Sequence, residues 1–131
     1  MLIDTSGWFS IFDSAQHDHA LAIELYDDSR IKVTHSYVIV EFVALSEARK
    51  KLRSDMLTFL DKILREAEIE IVWIDEPTTL EAIDLLRKRL DKGWSLCDAV
   101  SFVLMRQLGI TEALTTDHHF EQAGFIKLLE S

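Results

Sequence analysis

Apolar residues along this chain fall into short solid runs that alternate with longer stripes at helical spacing. Residues 1–3 form a short apolar run stopped by Asp4-Thr5-Ser6-Gly7, which reads as a buried strand followed by a helix start. Residues 17–28 carry Ala20, Leu21, Ile23 and Leu25 and predict a helix, and residues 31–34 predict a second strand. Residues 37–49 are apolar around most of their first two turns, so they predict a helix buried on several sides that turns polar in its later half. Ser54 is placed to cap a helix with Leu57, Leu60 and Leu64 as its core stripe, widened by Phe59 and Ile63. Residues 69–74, rich in β-branched and aromatic side chains, predict a third strand. Pro77 suits the first turn of a helix running to about residue 91, with Leu80, Ile83, Leu86 and Leu90 facing the core and Gly93 past its end. Ser95 opens the next helix and Gly109 closes it, residues 112–115 predict a fourth strand, and a short helix from His118 leads to a last strand at residues 125–129.

Strands alternating with helices imply an α/β fold with a central, mainly parallel sheet covered on both faces. Ligands of such folds bind outside the carboxyl ends of the strands, where Asp4 and Asp117 both fall. A chain of 131 residues with 48% hydrophobic content has the size of one domain, residues 1–131, with one core. Seven Phe and three Trp exclude disorder, and one Pro with four Gly leaves little material for long loops. The single cysteine, Cys97, excludes an internal disulfide and fits a reducing compartment. The amino terminus does not read as a signal peptide, and the longest apolar runs are far below a membrane span, so the expected location is the cytoplasm. A net charge of -9 argues against broad electrostatic binding to nucleic acid. Locally the balance reverses: Arg49-Lys50-Lys51-Arg53 and Arg87-Lys88-Arg89 with Lys92 are basic segments, either solvated helix faces or phosphate contacts.

The chemistry rests on Asp4, Glu41, Asp98 and Asp117, which lie far apart in sequence yet each beside apolar residues. A carboxylate taken out of water needs a counter-charge or a metal. Three of the four have a purely structural alternative: Asp98 follows Ser95 by three residues as in a capping box, and Asp4 and Asp117 each precede a predicted helix. Glu41 sits mid-helix between Val40 and Phe42 and has none. Oxygen ligands in this number suit a hard cation such as Mg2+ or Mn2+ more than zinc, and the chemistry implied is phosphodiester hydrolysis. Brought into one cleft without metal, the four repel, so at least one carboxyl is expected to be pushed up.

Asp4-Thr5-Ser6 after an apolar strand, Glu41 in an apolar helix, Ser95-Leu96-Cys97-Asp98-Ala99, and Leu114-Thr115-Thr116-Asp117 followed by Phe120 together resemble the motifs of the PIN domain, in order and across essentially the whole chain. The size is that of the small bacterial VapC-type toxins. The resemblance implies a three-layer α/β/α sandwich, a Mg2+- or Mn2+-dependent endoribonuclease acting on RNA, frequent homodimers, and a cognate antitoxin whose tail blocks the site. It assigns Asp4, Glu41, Asp98 and Asp117 as the metal-binding catalytic carboxylates, and Ser6 and Thr115 as hydroxyls that orient them. A different reading keeps the carboxylates in a PIN-like binding module without turnover, acting through a protein partner. A phosphate-accepting receiver or aspartyl phosphatase is disfavoured, because no second Asp follows Asp4 by two residues and Lys127 lies inside the last predicted strand.

His118-His119 departs from the motif, and adjacent residues on a helix do not share a face, so both are not expected to ligate one metal. His17 and His19 read as surface residues. Cys97 lacks the ordered partners of a nucleophile. Trp8, Trp73 and Trp94 read as core, with Trp94 the one placed to line the cleft.

Overall fold

The computed structural model describes residues 1–130; Ser131, the last residue of the expected domain, lies outside the described residues. Five strands, β1 (Leu2–Ile3), β2 (Lys32–His35), β3 (Ile69–Val72), β4 (Glu112–Leu114) and β5 (Ile126–Lys127), form one sheet in the order β3-β2-β1-β4-β5. Each pairing is parallel, with Leu2 opposite Val33 and Ala113 and Ile3 opposite Leu114.

Because side chains alternate along a strand, this register sends Leu2, Val33 and Ala113 to one face and Ile3 and Leu114 to the other. The first set packs with Phe102, Met105 and Phe120. The second packs with Trp8, Phe9, Val38 and Phe42. The helices divide accordingly: α1 (Thr5–Phe12), α2 (His19–Asp28), α3 (Ser36–Ala48) and α4 (Arg53–Arg65) cover one face, and α5 (Glu76–Lys88), α6 (Leu96–Leu108) and the short α7 (His119–Gln122) cover the other. The expected α/β/α sandwich is therefore present, and its sheet is wholly parallel. The chain runs from β1 outward to β2 and β3, then crosses back to β4 on the other side of β1. That reversal opens a crevice at the carboxyl ends of β1 and β4.

Two predicted helix faces are rotated from their expected positions. In α4 the buried side chains are Met56 and Ile63, whereas Leu57 and Leu64 are 46% and 43% exposed. Two overlapping stripes one residue apart differ by about 100° on a helix, and the sulfur-containing Met56 completes the one that packs. Ser54 is not the cap, since α4 begins at Arg53 with Leu52 before it. In α5 the small Ala82 is fully buried against α6 and Leu80 stands 56% exposed, while Leu90, 86% exposed, lies past the helix, which ends at Lys88 rather than near residue 91. β3 stops at Val72, short of the predicted end, because the backbone leaves the sheet: Trp73 is 66% exposed and the Ile74 N–H donates to Ser36 Oγ at 2.9 Å.

One close approach fixes how α1 leaves the sheet. Gly7 lies against the Leu114 carbonyl, and a Cβ at that position would overlap it. Gly7→Ala is expected to destabilise the protein by about 1–3 kcal/mol, because backbone must move to admit one methyl group. Gly93→Ala, where a Cβ meets nothing within 4 Å, is expected to stay within about 0.5 kcal/mol of wild type. Urea unfolding of the three proteins checks this; coincident midpoints for Gly7→Ala and wild type would show that the contact is soft.

Candidate active site

β1 ends at Ile3, and the next residue, Asp4, is 4% exposed. It occupies the cap position of α1 but makes no side-chain cap bond there. Instead Thr115 Oγ1, just past the end of β4, donates to Asp4 Oδ2 at 2.9 Å. Ser6 Oγ lies 3.1 Å from Thr115 Oγ1 and accepts from the Thr116 N–H at 2.9 Å, while Thr115 Oγ1 also accepts from the Asp117 N–H at 3.0 Å. Ser6 and Thr115 thus tie the ends of β1 and β4 together and aim the Asp4 carboxylate.

Asp98 is 6% exposed at the start of α6. Both bonds of the capping box are made, Asp98 N–H to Ser95 Oγ at 3.0 Å and Ser95 N–H to Asp98 Oδ2 at 3.1 Å. The structural and the chemical alternatives coincide at this residue, since the same carboxylate lies close enough to Asp4 to raise its proton affinity. Asp117 is half-buried, and its Oδ1 accepts from the His119 N–H at 2.9 Å; the helix it was expected to cap starts one residue later, at His119, with His118 in the cap position.

Glu41 corrects the sequence argument. α3 buries Val38, Phe42 and Ser46, so Glu41 and its neighbour Val40 fall on the open side of the helix and Glu41 is exposed. It belongs with the others for a different reason: Thr5 Oγ1 donates to Glu41 Oε1 at 3.0 Å, and its charge also acts on Asp4. Thr5 and Thr115 therefore hold the acidic groups of α3 and β1 from opposite sides.

The Asp4 carboxyl is pushed up from 3.8 to about 7. Burial is the main cause, opposed by the Thr5 amide and Thr115 hydroxyl, and repulsion from Asp98 and Glu41 adds less. Repulsion, expected from sequence to raise a carboxyl, is thus the smaller effect. Cys97 is buried beside the same three acids, and burial followed by their charges drives its thiol far up, so it stays protonated and is no nucleophile. Among the described residues, no Lys or Arg pairs with Asp4, Glu41, Asp98 or Asp117. A buried carboxylate with only hydroxyl and amide partners is a donor set that a hard divalent cation fits.

His119 is the residue whose place the sequence reading missed. Its Nδ1 lies 2.9 Å from Asp98 Oδ2 and 3.3 Å from Asp117 Oδ1, bridging the two acids. The DHH run itself was the available signal. Trp94, read as core with the cleft as its alternative, is in the core against Phe102, with its Nε1–H donating to Gln122 at 2.9 Å. Trp73, read as core, is exposed. His19 Nδ1 contacts the Ser10 carbonyl at 2.8 Å, away from the acids.

A second buried titratable group opposes Asp4. His35, at the end of β2, is fully buried with Nε2 2.7 Å from Ser101 Oγ and Nδ1 accepting from the Val38 N–H at 3.4 Å, and burial pulls it from 6.5 down to about 4. Between 3.8 and about 7 the folded state holds a proton on Asp4 that the unfolded chain has released, so stability falls as pH rises. Between about 4 and 6.5 the unfolded chain protonates His35 and the folded state does not, so stability rises with pH. Asp4→Asn removes only the first effect. In EDTA the variant is expected to exceed wild type at pH 8 by at least about 1 kcal/mol and to lose that margin toward pH 4. Asp98→Asn, which weakens the capping box and the His119 contact, is expected to show no such gain. Urea unfolding at pH 5 and pH 8 measures both; a margin for Asp4→Asn that does not change with pH would contradict the burial account.

The family model for the PIN domain matches residues 1–126. Among curated proteins, the chain is 26% identical over 129 residues to the 23S rRNA-specific endonuclease VapC20 of two Mycobacterium tuberculosis strains, covering 98% of this chain and 97% of that protein. Among solved structures, the crystal structure of Mycobacterium tuberculosis VapC20, described as a sarcin-ricin loop cleaving toxin, superposes with a TM-score of 0.87 at 23% identity and covers 96% of each chain. The wholly parallel sheet, the crevice at β1 and β4 and the match along nearly all its length agree: this chain belongs to the PIN domain family.

Proposed function

We propose that this chain, as one nuclease domain over residues 1–131, is a Mg2+- or Mn2+-dependent endoribonuclease and the toxin of a type II toxin-antitoxin pair. The observation that carries the reading is the convergence of buried Asp4 and Asp98 with Glu41 in a crevice that offers them no Lys or Arg. Asp4, Glu41, Asp98 and Asp117 would hold the ion. When bound, it supplies Lewis acidity toward a phosphoryl oxygen and lowers the pKa of a coordinated water.

The chain's own part is positional. The Thr115 hydroxyl donates to Asp4 Oδ2, the Thr5 hydroxyl donates to Glu41 Oε1, and the capping box restrains Asp98. With burial pushing its carboxyl up to about 7, Asp4 must release its proton when a cation binds, so affinity rises with pH. A cleft of 280 Å³ lined by Ser6, Phe9, Ser10, Gln16, Asp18, Leu45, Arg49 and Thr116 shares Ser6 and Thr116 with the bonds that hold Asp4 and Asp117, and is the path we propose for an RNA backbone. Arg49 is the basic residue placed on it. In the second basic segment Arg87 and Arg89 are taken up by Asp84 and Asp91, at 2.9 and 3.1 Å.

The mycobacterial relative acts on 23S rRNA by its name, which makes ribosomal RNA the substrate to try first. A homodimer and an antitoxin fit the open, largely apolar cleft at Tyr37, Val40, Ala44 and Cys97 beside Glu41, where a second chain would both cover Val40 and reach the acids. An Arg or Lys from an antitoxin tail would there replace the charge of the metal. No helix among the described residues is long and apolar enough to cross a membrane. We propose the cytoplasm as its location.

Two measurements test this reading. On an RNA panel that includes 23S rRNA, Asp4→Asn, Glu41→Gln and Asp98→Asn are each expected to remove most Mn2+-dependent cleavage, with Asp117→Asn the mildest. Full activity of Asp4→Asn or Asp98→Asn sinks the assignment, whereas RNA binding without any metal-dependent cleavage by wild type supports the binding-module alternative. Arg49→Glu is expected to weaken RNA binding and reduce the slope of log affinity against log salt by about 1, while Arg87→Glu changes it less. Equal slopes for Arg49→Glu and wild type would return Arg49 to an ordinary solvated side chain.

A further inference from the structure

The carboxylate crevice leaves the two rings that follow Asp117 without a task. Adjacent residues diverge by about 100° along a helix, which is why the sequence argues against shared ligation. Here the rings converge. His118 precedes α7 and the Asp117 side chain folds back over the His119 amide, so the ring centroids are only 4.5 Å apart. The Nδ1 atoms of His118 and His119 stand 3.7 and 3.3 Å from the same Asp117 oxygen. One ligating atom from each of the three residues lies within 4.8 Å of the others.

The 3.3 and 3.7 Å separations from Asp117 are close to those of a coordination shell, and His118, exposed at the start of α7, needs only to swing inward to complete it. Two donors held at 2.0–2.1 Å by one tetrahedral ion stand roughly 3.3 Å apart. Asp98 Oδ2, 2.9 Å from His119 Nδ1, is within reach as a fourth donor. The His118 side chain is 70% exposed, so an ion has direct access from solvent. Two imidazole nitrogens among the donors change which ion is preferred. Mg2+ takes oxygen, whereas Zn2+ accepts mixed nitrogen and oxygen sets.

We propose that Asp117, His118 and His119 form a binding site for a borderline divalent transition ion, best filled by Zn2+, that abuts the all-oxygen crevice and borrows Asp98 from it. Binding there needs only the two histidines and their acids. Its consequence rests on the ribonuclease reading above: an ion at this site draws Asp98 and Asp117 away from the crevice, so Zn2+ opposes Mn2+-dependent cleavage.

Competition of the untagged, metal-free chain with a chromophoric zinc chelator tests the site without any activity. Wild type is expected to bind one Zn2+ per chain, His118→Ala to bind it at least about 10-fold more weakly, and the His118→Ala, His119→Gln double variant more weakly still. Asp4→Asn is expected to keep Zn2+ affinity within about 3-fold of wild type, which separates this site from the crevice. Co2+ as a spectroscopic probe is expected to give the visible bands of a four-coordinate nitrogen and oxygen site in wild type and to lose them in His118→Ala. Should the double variant fail to fold, the exposed His118 decides alone. Equal Zn2+ affinity in His118→Ala and wild type, or loss of Zn2+ binding in Asp4→Asn, overturns the proposal. Failure of the ribonuclease reading would appear separately, as wild type that does not cleave RNA with Mn2+ while still binding Zn2+.

Discussion

A hydrogen bond between residues 111 positions apart, from Thr115 Oγ1 to Asp4 Oδ2 at 2.9 Å, locks the carboxyl ends of the two paired strands on which the site depends. β1 and β4 are neighbours only because the chain reverses direction across the sheet, and their carboxyl ends would otherwise present bare backbone and one buried acid. The Thr115 hydroxyl meets both needs, since it also accepts the Asp117 amide and contacts Ser6. Asp117 and the histidines after it inherit their positions from that turn. Gly7, pressed on the Leu114 carbonyl, keeps α1 close enough for Ser6 to take part.

The same arrangement carries a cost that the rest of the fold must offset. Asp4 is held where water cannot solvate its charge, and two further acids face it. Aromatic packing supplies much of the compensation: Trp8, Phe12, Phe42 and Phe59 meet edge-to-face or tilted on one side of the sheet, and on the other Trp94 and Phe120 meet Phe102 edge-to-face while Phe125 stacks on it. His35 carries its own burial cost on the acid side of the pH scale, and its ring bonds to Ser101 and joins β2 to α6. A costly acidic site set in a well-packed core fits the proposal that a divalent cation completes it.

Much of this was legible in the sequence because the signals were local. Short apolar runs such as Leu2-Ile3, stopped by Asp4, marked strands, and Ser95 with Asp98 marked the start of α6 through a capping box that is fully made. What the sequence could not convey was which of two adjacent stripes a helix buries. α4 packs Met56 rather than Leu57, and α3 turns Glu41 outward with Val40, because partners from other elements choose the face. Glu41 was thus selected as a site residue on a premise of burial that does not hold, and it lies beside Asp4 all the same. The His118 and His119 geometry was illegible for a related reason: whether neighbouring rings diverge depends on where the helix begins, and that is uncertain by a residue or two from sequence.

The central claim is that a divalent cation supplies the charge these acids lack at the ends of β1 and α6. Anomalous scattering at the manganese edge from crystals grown with Mn2+ tests it most directly. The account predicts a peak within coordinating distance of both Asp4 and Asp98, with Thr115 still bonded to Asp4. A crevice without a peak, in crystals where Mn2+ appears only at surface carboxylates such as Asp84 or Asp91, would contradict it.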